Sequence, residues 1–353
     1  MSQRRERLDP AIFNLPVERM RAGYYSDKYF VRARDVLQRD QHNPRVTVQV
    51  FGKADALLGG IDEAIAILKL CADDWDSLDV RALHDGDAIA PWEVVLQIEG
   101  PYANFAHLET LYLGVLARRT RVGTNTRRVV EAAAPKQVMF FPARHDHWLV
   151  QTGDGYAAHI AGAIGVSTDA QASWWGSEGI GTVPHGLIAA YNGDTVLASR
   201  KFLEHMDRDV RLVTLVDFEN DCVRTSLELA DALGDALYGV RIDTSEMLVD
   251  RSVLPTMGRA KPTGVTPQLV QNVRDALDAR GHGHVRIVVS GGFTVDKIRE
   301  FETQMVPVDA YGVGSSLFGG RFDFTADIVR NEGLPCAKVG REYRDTPRLE
   351  PVR

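Results

Sequence analysis

The sequence predicts an α/β protein whose larger part is a βα barrel, with a separate α/β layer domain ahead of it. Two observations carry this. In the second half, short apolar runs end one after another in polar or glycine residues. Val213–Val216 runs into Asp217, Tyr238–Ile242 carries Arg241 and leads to Asp243, and Val285–Val289 opens into Ser290-Gly291-Gly292. Ala310-Tyr311 opens into Gly312-Val313-Gly314-Ser315-Ser316. Buried parallel strands with polar groups at their C-terminal ends, and glycines after the last two, are how such a barrel presents a site. The first third, by contrast, mixes strands and helices without that alternation. A length of 353 residues is also long for one core. We therefore expect the layer domain over residues 1–120 and the barrel over 121–331. The polar tail 332–353, with Pro335, Pro347 and Pro351, is expected to pack back on the first domain.

Element by element, Asp27–Gln38 has helical spacing, and Val46–Phe51 alternates like a half-buried strand. Gly59-Gly60 breaks the chain before the apolar helix Ile61–Cys71. Pro91–Ile98 reads as a strand ending at Glu99-Gly100-Pro101, and Phe105–Ala117 as an amphipathic helix. In the barrel half, Asp221–Gly234 is a helix. Thr266-Pro267 starts another that Gly281 ends, and Thr294 caps a third. Segments 141–180 and 246–262 carry no clear period.

Composition narrows the function. Apolar content of 44% and charged content of 25% are those of a globular protein. A net charge of −7 without a long basic block argues against nucleic acid. Cys71, Cys222 and Cys336 are scattered and odd in number, which fits a reducing compartment. No apolar run approaches the ~20 residues of a membrane span, and the N-terminus has no signal-peptide core. The expectation is a cytoplasmic protein with no membrane partner.

Four groups of residues could carry chemistry. In Gly181-Thr182-Val183-Pro184-His185, Pro184 fixes its own φ and restricts the residue before it, so His185 is delivered in a set position. It is either a positioned functional imidazole or a helix-capping one. Arg241 and Asp243 share one side of a strand end. Together they suit a phosphate and a sugar hydroxyl or hydrated Mg²⁺, or else form a structural ion pair. Asp217 ends an equivalent strand. Ser290-Gly291-Gly292 and Gly312-Val313-Gly314-Ser315 allow backbone N–H groups to approach an anion, although turns also use glycine for conformation alone. Phe141 and Arg144 offer a stacking wall and an anion contact. His145-Asp146-His147 is weak as a metal motif, lacking further ligands.

These pieces in this order resemble nicotinate phosphoribosyltransferase in its short archaeal and bacterial form, and nicotinamide phosphoribosyltransferase more distantly. The resemblance runs from Tyr25-Ser26-Asp27-Lys28-Tyr29-Phe30 to Lys338-Val339-Gly340-Arg341. It implies an N-terminal α/β sandwich, an irregular α/β barrel, and a head-to-tail homodimer with shared active sites. His185 would be the histidine that many members phosphorylate with ATP. Phe141 would stack on the pyridine ring beside Arg144, with Tyr29 of the partner subunit on the other face and Asp27 next to it. Asp169 would contact the ring substituent. Arg241 and Asp243 would hold the phosphoribosyl group, with Asp217 on the diphosphate and Mg²⁺ side. Ser290, Gly291, Gly292, Gly312, Gly314 and Ser315 would hold the 5′-phosphate, and Lys338 and Arg341 would lie near the diphosphate. The family's usual Ser-Gly-Asp after Arg-x-Asp is replaced by Thr244-Ser245-Glu246.

The expected reaction is transfer of phosphoribosyl from phosphoribosyl diphosphate to nicotinate. It gives nicotinate mononucleotide and diphosphate for NAD salvage, coupled to ATP through His185 in the manner of a ligase. Mg²⁺ at Asp217 and Asp243 would stabilise the leaving diphosphate. Alternatives are the same reaction on nicotinamide or quinolinate, or a silent homologue that senses a phosphoribosyl ligand. An unrelated aldolase- or isomerase-like barrel leaves the Gly181–His185 turn unexplained and lacks a strand-end lysine for a Schiff base.

Overall fold

The computed structural model describes residues 5–258 and 261–352. The chain divides into two compact units, Met1–Thr124 with Gly319–Arg353, and Asn125–Phe318.

The first unit is built on a six-stranded antiparallel sheet. Its order is Leu334–Pro335, Phe324–Asn331, Arg45–Gly52, Val94–Pro101, Asp79–Ala82, Glu350–Pro351. Val48, Val50, Leu96 and Ile98 pack in one core with Ile61, Ile65 and Leu68 of the helix Ile61–Cys71. That helix starts at Gly60, whose φ of 85° suits glycine, and the Asp85 carboxylate accepts from the N–H groups of Ile61 and Asp62.

Arg45–Gly52 differs from the half-buried strand its alternation predicts, because from Val46 onward it is buried on both faces. Gln49 is fully buried, donating to Gln97 Oε1 and the Arg344 carbonyl while its own oxygen accepts from Arg344 N–H. The tail thus covers the polar face and satisfies it. The chain returns to this unit at Gly319, earlier than residue 332, because Phe324–Asn331 pairs along Arg45–Gly52. The helix expected over Phe105–Ala117 begins at Glu109 and runs to Ala133.

The second unit is an irregular α/β barrel. Its strands are β1 (Gln137–Phe140), β2 (Gly165–Val166), β3 (Leu212–Leu215), β4 (Leu237–Ile242), β5 (Arg286–Val289) and β6 (Ala310–Val313). All pairs are parallel, in the order β2-β1-β6-β5-β4-β3. This is a circular order with one seam, between β2 and β3. The segment 180–183 spans the seam: Ile180 N–H donates to the Val166 carbonyl at 2.7 Å and Val183 N–H to that of Val213 at 2.8 Å. Helices Cys222–Leu233, Pro267–Ala279 and Val295–Thr303 connect β3 through β6. Each is capped by a side chain, from Asp221, Thr266 and Thr294 respectively. Among the described residues no helix is long and apolar enough to cross a membrane.

Candidate active site

The C-terminal edge of the barrel encloses a cavity of about 850 Å³. Phe141 follows β1, Ser167 and Thr168 follow β2, and Thr182 and His185 come from the seam. Arg241 lies in β4 and Asp243 just beyond it, Ser290-Gly291-Gly292 follow β5, and Gly314-Ser315 follow β6. All of these residues line the one cavity.

At its centre is a network around Arg241. Its Nε donates to Ser290 Oγ at 2.8 Å, Nη1 to Thr182 Oγ1 at 3.2 Å and Nη2 to Asp243 Oδ2 at 3.2 Å. Ser290 Oγ in turn donates to Asp243 Oδ1 at 2.7 Å. The guanidinium also sits 5.4 Å from the Phe141 ring centre. Alternation explains the arrangement, since Ile242 is buried on the opposite side from Arg241 and Asp243. Thr182 completes the network. It lies in the turn marked by the sequence, but nothing in its residue type announced the contact.

His185 begins the short helix His185–Ala190 directly after Pro184. Its Nε2 lies 3.0 Å from Asp217 Oδ1; Asp217 is nearly buried whereas the imidazole is 43% exposed. The hydrogen bond to Asp217 holds the imidazole pKa above its ordinary value. Burial opposes it, the charges of Asp217 and Asp243 add to it, and Arg241 subtracts.

The glycines divide by role. Gly291 and Gly292 have φ of 85° and 67°, so the turn after β5 requires them. Gly312 is a strand residue, not part of the turn after β6. A β-carbon there would fall 2.7 Å from the Phe141 ring, so its absence makes room for the aromatic wall. Replacing Gly312 by alanine is expected to displace Phe141. The melting temperature should fall by a few degrees, as a thermal denaturation curve would show.

Arg144 and His145 line the cavity beside Phe141, and His145 faces Gly314. Asp169 is turned elsewhere: its Oδ1 accepts from Gly179 N–H at 2.8 Å, and its neighbours Ser167 and Thr168 face the cavity instead. His147 Nδ1 accepts from Leu149 N–H as a local cap, and its ring stacks on Trp148.

The remaining residues singled out by the sequence belong to the first unit. Asp27 precedes the helix Lys28–Arg39 and accepts from Thr110 Oγ1, while Tyr29 is largely exposed. Arg341 donates to Asp327 and lies over Trp92; Lys338 is exposed in the same tail. Glu109 is pushed up to about 8 by burial first, then by Asp327 and Asp27. A folded pKa above the unfolded value means that its contribution is present below about pH 4.5 and lost as pH rises through 8. Glu109→Gln is therefore expected to melt higher than the parent above pH 8 and to lose that advantage at acid pH.

Among known proteins, residues 27–120 match the family model for the N-terminal domain of quinolinate phosphoribosyl transferase. The crystal structure of nicotinate-nucleotide pyrophosphorylase from Pyrococcus furiosus is 33% identical, with a TM-score of 0.80, covering 93% of this chain and 80% of that one. The chain belongs to the nicotinate-nucleotide pyrophosphorylase, or quinolinate phosphoribosyltransferase, family.

This corrects the resemblance to nicotinate phosphoribosyltransferase drawn from the motifs. Human nicotinic acid phosphoribosyltransferase shares the fold (TM-score 0.65) at only 17% identity, covering 88% of this chain and 75% of that one. A nicotinate phosphoribosyltransferase of Mycobacterium tuberculosis is 28% identical over 277 residues, 76% of this chain and 57% of that protein. The chain thus spans a little over half the length of that curated relative. Glycine turns, an Arg-x-Asp strand end and a seam histidine do not by themselves separate two families that share this fold. They do not mark the base.

Proposed function

We propose that the chain transfers the phosphoribosyl group of phosphoribosyl diphosphate to a pyridine carboxylate, with quinolinate as the leading base. The observation that carries this is the Arg241–Asp243–Ser290 network beneath the Phe141 ring. It joins a fixed cation, a hydroxyl-binding carboxylate and a glycine turn to a flat apolar wall in one cavity. A volume of about 850 Å³ is in the range of small-molecule sites and leaves room for two substrates.

Attack of the ring nitrogen on C1 breaks the bond to diphosphate. Positive charge develops on the ribose and negative charge on the departing oxygens. With quinolinate, the 2-carboxylate leaves as carbon dioxide and the ring carbon takes up a proton, giving nicotinate mononucleotide. Asp243 lies where it can accept from ribose hydroxyls, and Arg241 where it can face a phosphate or carboxylate. His185, whose protonated form the hydrogen bond to Asp217 favours, would stand beside developing negative charge. Arg144 would supply further positive charge next to Phe141 for a dicarboxylate, with His145 lining the same part of the cavity.

The residues present fit a Mg²⁺ ion that arrives with the diphosphate. Mg²⁺ keeps several waters and takes one or two carboxylates plus phosphate oxygens. Asp217 and Asp243 would be the carboxylates that hold it, and among the described residues no group of three His, Cys, Asp or Glu forms a closed metal site. In a homodimer, Tyr29, Asp27, Lys338 and Arg341 of one copy would complete the site of the other. Nicotinate as the base, with ATP acting through His185, is the second reading, favoured by the name of the mycobacterial relatives.

The test is product formation from phosphoribosyl diphosphate and Mg²⁺ with quinolinate, nicotinate and nicotinamide in parallel, each with and without ATP. Quinolinate turnover with release of one carbon dioxide per nucleotide, indifferent to ATP, is the expected outcome. Turnover of nicotinate raised by ATP moves the assignment to the second reading. Binding without turnover of any base leaves a ligand sensor.

A further inference from the structure

Glu246 stands where the cavity meets the turn after β5, and it is the residue at which the chain departs from Ser-Gly-Asp. A β-carbon on Gly292 would fall 1.8 Å from Glu246 Oε1 and 2.8 Å from its Cδ. The carboxylate therefore lies against the bare α-carbon of the glycine turn. Its loop is held there by backbone contacts. Leu248 N–H donates to the Ser245 carbonyl at 2.9 Å, and Gly264 N–H to that of Leu248 at 2.8 Å. Val249 bridges Thr263, and a β-carbon on Gly264 would come within 3.3 Å of Glu246 Cα.

A cation stands at the same turn. Lys297, in the first turn of the helix Val295–Thr303, donates from Nζ to the Gly291 carbonyl at 3.3 Å and lies 4.4 Å from the Phe293 ring centre. Burial lowers its pKa; Glu246 pulls it back up, and Lys261 pushes it further down. Glu246 is thus close enough to Lys297 to act on its charge. With Glu246 swung out, the Lys297 ammonium is left at the Gly291 carbonyl without that carboxylate beside it. Glu246 itself is exposed, so an outward swing buries nothing.

We propose that Glu246 is a resident counter-anion of the phosphate cradle. Its carboxylate occupies the place of the incoming phosphate at Gly291-Gly292, and ligand binding displaces it and leaves Lys297 to the phosphate. The inference rests on the reading of this turn as the phosphate site. It makes Glu246 a specificity device: a ligand must bring a doubly charged phosphate to replace the carboxylate, and a neutral ribose cannot. Salt weakens the competition by screening it.

The experiment is calorimetric titration of the full chain with ribose 5-phosphate, for the parent, Glu246→Gln and Glu246→Ala. Glutamine keeps the shape and removes the charge; alanine removes both, and serves if the glutamine variant folds poorly. Both are expected to bind ribose 5-phosphate more tightly, by roughly tenfold at low salt, with the gap closing as salt rises. Binding by the parent with equal or weaker affinity in both variants overturns the counter-anion and leaves the phosphate site standing. Absence of binding in all three proteins overturns the phosphate site together with the counter-anion.

Discussion

Replacing Arg241 by alanine is expected to lower kcat/KM for phosphoribosyl transfer by roughly 10³-fold, the scale seen when one aimed donor is removed from a developing negative charge. The expectation follows from how many groups this side chain holds. It donates to Ser290, Thr182 and Asp243 and sits over the Phe141 ring. Its removal also leaves the Asp243 carboxylate, about 20% exposed, without its cation. Deleting one partner of such a pair costs more than the pair is worth, so a loss of about 1–3 kcal/mol in folding stability should accompany the kinetic loss. Arg241→Lys is expected to rescue stability in part and activity hardly at all, because an ammonium cannot direct three donors along fixed directions. Steady-state kinetics with melting curves on the three proteins checks this. A lysine variant with near-parental kcat/KM would show that only charge matters there. An alanine variant that loses stability without losing kcat/KM would reduce Arg241 to a scaffold residue.

How much of this was legible beforehand depends on what each residue's type constrains. The ends of β3, β4 and β5 could be read because each apolar run stops at a charged residue or at glycines that only a turn requires. The helices between them could be read from Asp221, Thr266 and Thr294, whose side chains do cap them. β1 and β2 could not be read: one has four residues and the other two, and neither ends in a distinctive turn. The seam was half legible. Pro184 and His185 stood out, but closure of the barrel by 180–183 rests on backbone hydrogen bonds that any residue could make. The same limit explains the misassigned family. Arg241, Asp243, His185 and Gly291-Gly292 share one cavity, but their residue types do not say which base would occupy it. Gly312 reads as a turn residue because glycine looks alike in a turn and in a strand pressed against an aromatic ring. Glu246 was visible only as a departure, since a loop without period does not say where its side chain points.

The pH profile should turn on the pair His185–Asp217. The hydrogen bond that Asp217 accepts from the imidazole, at 3.0 Å, raises the imidazole pKa above that of a free histidine, against the opposing effect of burial. A raised folded value means that the stability this pair contributes is fully present below about pH 6.5. It is lost as pH climbs through the folded value. Activity that depends on the protonated ring should fall on the same limb. Asp217→Asn keeps the shape and removes the charge, so the descending limb is expected to move to lower pH. At neutral pH the rate should drop by roughly 10²-fold or more, the scale of a lost general acid or electrostatic partner. His185→Gln should abolish the limb altogether. Its melting temperature should fall below the parent's most clearly at acid pH and converge with it at alkaline pH. Profiles of kcat/KM and melting temperature from pH 5 to pH 9 for the three proteins decide the matter. An unmoved limb in Asp217→Asn would assign the titration to another group, for which His145, in the same cavity, is the first to replace. A limb that moves while His185→Gln keeps full activity would leave the pair as an architectural contact that locks the seam turn.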